Sequence, residues 1–96
     1  METFPAFFPL AGRRVVIAGE GEQAQAKLRL FDGSPARVDQ LTGAAALDPA
    51  SYAGAALAFV ASPDPHFRKA AAAAARAAHV PLNVVDDSAA DLILLS

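Results

Sequence analysis

The chain has 96 residues, 54% of them hydrophobic, with a formal net charge of −2 and no cysteine. That length suits one small domain with a core of its own, and the apolar content excludes a disordered chain. The charge supplies no basic face for nucleic acid, and the lack of thiols excludes a disulfide framework, a thiolate nucleophile and a thiolate-held metal.

The N-terminus shows no basic stretch followed by an apolar core and a cleavage site. No apolar run reaches the roughly 18–20 residues that span a bilayer. A cytoplasmic location, with no membrane partner, is the default expectation. Phe4-Pro5-Ala6-Phe7-Phe8-Pro9-Leu10 carries two prolines, which prevent a regular helix, and three aromatics that ask for burial. It reads as an extended arm packed on a sheet edge. Ala11-Gly12-Arg13 then turns into a first strand over residues 14–18, whose Val15-Val16-Ile17-Ala18 suits a parallel strand covered on both faces.

Directly behind that strand stands Gly19-Glu20-Gly21-Glu22-Gln23-Ala24. A G-x-G-x-x-G/A string carries meaning only between a strand and a helix, and both neighbours are present. Gly19 would allow the tight turn, Gly21 would let a pyrophosphate approach the backbone, and Ala24 would let the helix pack closely. The phosphates would rest on the free N–H groups and positive dipole end of a helix opening near Glu22. That helix is expected over residues 22–31, since Ala24, Leu28 and Phe31 share a face, and Asp32-Gly33-Ser34-Pro35 stops it.

Residues 36–41 alternate as a second strand, with Ala36, Val38 and Gln40 on one face, although Arg37 and Asp39 make it a weak core strand. Residues 42–54 contain Gly43, Pro49 and Gly54 and read as a loop with one short helical turn over 49–52. Residues 57–61, Leu57-Ala58-Phe59-Val60-Ala61, form the next buried strand, ended by Ser62-Pro63-Asp64-Pro65. Residues 65–78 are the surest helix: proline fits its first turn and alanine has the highest helix propensity. The run of alanine at 70–75 is bounded by Arg68, Lys69 and Arg76 and reads as an ordinary packed helix, not as low complexity. After His79-Val80-Pro81 a short strand follows at 82–85, with Asp86-Asp87-Ser88 behind it.

This order predicts an α/β fold, a Rossmann-like open parallel sheet with helices on both faces. Ligands of such sheets sit beyond the carboxyl ends of the strands, where strand order reverses. Four segments should meet there: the turn at 19–23, the second strand's end near Gln40 to Thr42, the corner at 61–64 including Ser62, and Asp86-Asp87. The first three would line a dinucleotide with backbone groups.

Other polar residues have plainer readings. Asp39 lies 20 positions after Gly19, the spacing of a ribose-binding acid, yet it falls inside the strand and reads as a solvated strand-face carboxylate. His66 and His79 share no metal-ligand spacing and read as surface and helix-end residues, so no metal site is expected. Lys27 and Arg29 read as solvated helix residues, because the helix N-terminus already supplies an anion site. Asp86 or Asp87 could cap the following segment or take part in catalysis, and the residues alone leave both open.

Phe4-Pro5-Ala6-Phe7-Phe8-Pro9-Leu10, Gly12-Arg13-Arg14-Val15-Val16-Ile17, the glycine turn with Lys27 and Arg29, and Asn83-Val84-Val85-Asp86 together resemble the N-terminal half of siroheme synthase. That domain is a precorrin-2 dehydrogenase and sirohydrochlorin ferrochelatase acting on a tetrapyrrole with NAD as hydride acceptor. The resemblance implies that Glu22 and Gln23 stand at turn positions contacting NAD, and that Leu41 and Thr42 border its ribose. It further implies that Asp86 is the catalytic aspartate, suited to accept a proton as hydride leaves the macrocycle and to assist entry of ferrous iron. The complete enzyme is expected to be a homodimer.

Many relatives carry glycine where this chain has Glu20, which puts a negative charge beside the expected pyrophosphate. The resemblance reads as ending after Asp87, so the chain is expected to be one NAD-binding domain from a longer enzyme and inactive alone. Two other functions compete with that reading: a non-catalytic dinucleotide-sensing domain, indifferent to loss of Asp86, and a vestigial structural module of the same fold.

Overall fold

The computed structural model describes residues 12–85. The expected N-terminal arm, Asp86 and Asp87 lie outside the described residues. Four strands, β1 (Arg14–Ala18), β2 (Arg37–Leu41), β3 (Leu57–Ala61) and β4 (Leu82–Val85), form one sheet in the order β2-β1-β3-β4. All neighbouring pairs are parallel, so the predicted Rossmann-like α/β class holds. Helices α1 (Glu22–Leu30) and α2 (Pro65–Ala77) cover the sheet, as the continuous apolar character of β1 and β3 requires.

Side-chain alternation divides the core in two. Val16, Ala18, Ala58 and Val60 point to the face covered by α2, where they meet Ala71, Ala72, Ala74 and Ala75. Val15, Ile17, Leu57 and Phe59 point to the opposite face, where Ala24 of α1 and Phe31, just past its end, close over them. The alanines of α2 therefore form a packed helix face. Ala24 is fully buried, as a small residue at that point of the turn should be. The rings of Phe31 and Phe59 sit 5.7 Å apart and tilted, which fixes the end of α1 over β3.

The weakness expected of β2 comes from its place at the sheet edge. Only Val38 and Leu41 of its residues are even partly covered. Asp39 lies opposite Val16 in mid-strand and pairs with Arg14 at 2.7 Å, which bears out its reading as a strand-face carboxylate.

Two expectations need correction. Between Thr42 and Gly54 the chain makes two 3₁₀ turns, Gly43–Leu47 and Pro49–Tyr52, where a loop with one turn is expected. The extra turn is set by tertiary contact: Tyr52 is fully buried and its hydroxyl donates to the carbonyl of buried Ala46 at 2.6 Å. Lys27, expected in solvent, is only 3% exposed. It lies three residues after Ala24 on the sheet-facing stripe, and its aliphatic stem lets the ammonium reach 5.8 Å from the centroid of the Phe59 ring. Arg29 and both histidines are exposed, as expected.

Candidate functional site

Strand β1 is flanked by β2 on one side and β3 on the other, while the chain runs β1, β2, β3. The strand order therefore reverses at β1, and the loops leaving β1 and β3 diverge to opposite faces of the sheet. A cavity of about 320 Å³ opens at this rim, lined by Gly19, Glu20, Thr42, Gly43, Ser62, Pro63, Asp64 and Phe67. Its size is at the lower end of small-molecule sites, enough for part of a dinucleotide. Three of the four segments expected at the rim thus meet in one place. The fourth, Asp86-Asp87, follows Val85 in sequence and lies outside the described residues.

Gly19 is the hinge of this arrangement. It is buried, with φ +128°, and its N–H donates to the Leu41 carbonyl at 2.8 Å. Its own carbonyl accepts from Nε2 of Gln40, also at 2.8 Å. Both bonds tie the glycine turn to the end of β2. A Cβ on Gly19 would run into the backbone carbonyl of Ala61 in β3. Gly21 differs: at φ +91° it is the N-cap of α1, and a Cβ there would meet nothing within 4 Å among the described residues. The open side of that residue is where a ligand can approach the backbone.

The two helix N-termini at the rim are dressed differently. At α2, the Asp64 carboxylate accepts from the His66 N–H at 2.9 Å, and Pro65 has no N–H to satisfy. At α1 no side chain among the described residues caps the turn. The Gln25 N–H donates to the Gly21 carbonyl at 3.0 Å, and the amides before it, on Glu22, Gln23 and Ala24, belong to the first turn, whose N–H groups have no helical acceptor. An anion at this rim is therefore held best by α1, and the residues present fit a pyrophosphate there.

The β3–α2 corner is rigid. The Ser62 hydroxyl accepts from the Asp64 N–H at 3.1 Å, and Arg68 donates to the Ser62 carbonyl at 2.9 Å. Of the residues expected at the site, Gly19, Thr42 and Ser62 line the cavity. Leu41 contributes its carbonyl to Gly19, whereas Gly21, Glu22 and Gln23 form the adjoining turn. The carboxamide oxygen of Gln23 is buried without a hydrogen-bond partner among the described residues. Gly43 and Phe67 line the cavity without having been expected there. Phe67 joins it because it lies in the first turn of α2, a placement that depends on how the helix docks. No cluster suited to a metal is present among the described residues, and no described helix is long and apolar enough to cross a membrane.

A family model described as "Putative NAD(P)-binding" matches residues 6–95. The match runs past Asp87, where the reading from sequence ends the resemblance. The chain is also similar to siroheme synthase of Methylobacillus flagellatus, with 30% identity over 104 residues. That alignment takes in 90% of this chain and 22% of the relative, so the chain spans about a fifth of that protein's length.

Proposed function

The chain belongs to the NAD(P)-binding family matched over residues 6–95, and on that footing we propose that it is the cofactor-holding domain of an enzyme that oxidises precorrin-2 to sirohydrochlorin with NAD, and inserts ferrous iron, in siroheme formation. The observation that carries this reading is the meeting of the glycine turn, the end of β2 and the β3–α2 corner around one cavity beside an uncapped helix N-terminus.

NAD, when bound, accepts the hydride. The chain's own work is to hold it. The first-turn amides of α1 bind the pyrophosphate, the open side of Gly21 lets it come close, and Thr42 and Ser62 border the ribose. NAD is favoured over NADP because, among the described residues, the cavity is lined by two carboxylates, Glu20 and Asp64, and by no cation. Asp86 serves as the proton acceptor at the macrocycle and guides ferrous iron, a role that rests on the likeness of Asn83-Val84-Val85-Asp86 to the siroheme synthase motif.

The test is a titration of NAD into the 96-residue chain, followed through the backbone amide resonances of Gly19, Gly21 and Glu22. Saturable shifts at the turn are expected. A folded chain whose turn resonances do not move with NAD or NADP would remove the reading.

A further inference from the structure

Enzymes of this sheet type read the adenosine ribose with an acid at the end of the second strand, about 20 residues after the first glycine. No such acid stands there in this chain. Asp39 has the spacing, but it sits in mid-strand, 51% exposed, in an ion pair with Arg14. The next residue, Gln40, spends its amide on the Gly19 carbonyl, and Leu41 and Thr42 end the strand without a carboxylate.

We propose that Glu20, inside the glycine turn, has taken over the ribose-reading role and selects the dinucleotide with a free 2′-hydroxyl. This rests on the dinucleotide reading above. The two hydrogen bonds between Gly19 and the end of β2 bring residue 20 alongside Thr42 and Gly43, and all three line the same cavity. The second carboxylate on that cavity, Asp64, is already committed to capping α2. Glu20 makes no hydrogen bond or ion pair among the described residues. A ribose diol offers two O–H donors to a carboxylate, and a 2′-phosphate would bring like charge against it. The negative charge beside the turn thus acts on the sugar, away from the α1 amides that hold the phosphates.

Calorimetric titration of the wild-type chain and Glu20→Gln with NAD, NADP and 2′-deoxy-NAD (the adenosine ribose lacking its 2′-hydroxyl) tests this. Wild type is expected to prefer NAD over 2′-deoxy-NAD by about tenfold, the scale of one charge-assisted hydrogen bond. In Glu20→Gln that preference should shrink, and the gap between NAD and NADP should narrow. NAD binding as tight or tighter in Glu20→Gln, or an unchanged penalty for 2′-deoxy-NAD, would overturn the role of Glu20 while leaving the NAD site standing. A folded wild-type chain that binds no dinucleotide overturns both. Residue 20 is exposed, so a circular dichroism spectrum identical to wild type is expected of the variant.

Discussion

The α-carbon of Gly19 faces the backbone of Ala61 so closely that a Cβ built on it would lie 2.9 Å from the Ala61 carbonyl carbon and nearer still to its oxygen. Strands β1 and β3 are neighbours, and the chain leaves them toward opposite faces just beyond this contact. Gly19→Ala should therefore cost stability by about 2–4 kcal/mol, combining overpacking with a positive φ. Urea unfolding measures it, and a midpoint equal to wild type would show that the two backbones can part without penalty.

Gly21 should behave in the opposite way. Among the described residues nothing lies within 4 Å of its missing Cβ, so Gly21→Val pays the backbone cost of φ +91° and ψ −166°, a region that favours glycine, about 1–3 kcal/mol. Its effect should fall on the ligand: NAD binding is expected to vanish in calorimetry while the fold persists. Undiminished affinity would place the pyrophosphate elsewhere.

Asp86 is tested in a chain extended to the length of its siroheme synthase relative. Asp86→Ala is expected to keep NAD affinity within about twofold of wild type, since the cofactor contacts proposed above lie elsewhere. Sirohydrochlorin formation, followed by absorbance, should fall by at least about a hundredfold, the scale of lost general-base catalysis. Turnover near wild type would eliminate it as proton acceptor.

Tyr52 links the two 3₁₀ turns through the Ala46 carbonyl, and burial pushes its phenol up to about 12 from the usual 10. Above pH 10 the unfolded chain gives up this proton first. Stability should therefore fall as pH rises from about 10 to about 12. Tyr52→Phe should be less stable at neutral pH by about 1–3 kcal/mol, because the Ala46 carbonyl loses its donor, and should lose this tyrosine's share of the alkaline slope. Parallel slopes for the two proteins between pH 10 and 12 in denaturant titrations would contradict the assignment.

His79 holds φ +61° just past α2, with its N–H on the Arg76 carbonyl and that of Val80 on Ala75. This is a helix stop in which glycine is the unstrained residue. His79→Gly should raise stability by about 1 kcal/mol, visible as a higher melting temperature. A lower one would mean that the imidazole makes a contact worth more than the strain it carries.

Much of the fold is written locally. The β-branched and apolar runs Val15-Val16-Ile17-Ala18 and Leu57-Ala58-Phe59-Val60-Ala61, each about strand length, suit strands buried on both faces, and Pro65 with the alanines behind it suits a helix. From these alternating elements the parallel sheet follows, and with it the rim at which sheets of this type take their ligands. The glycine turn was legible for the same reason: a positive φ between strand and helix demands glycine.

What tertiary structure alone decided involves residues far apart in sequence. Lys27 looks like a surface lysine until α1 docks and carries it over Phe59. The first 3₁₀ turn exists because Tyr52 reaches back to Ala46, and Phe67 borders the cavity only once α2 is seated. The place of Glu20 beside Thr42 likewise depends on hydrogen bonds from Gly19 to Gln40 and Leu41, some twenty residues on. Local propensity sets which segments are helix or strand; which side chains share a cavity is set by packing and strand order, and those are properties of the whole sheet.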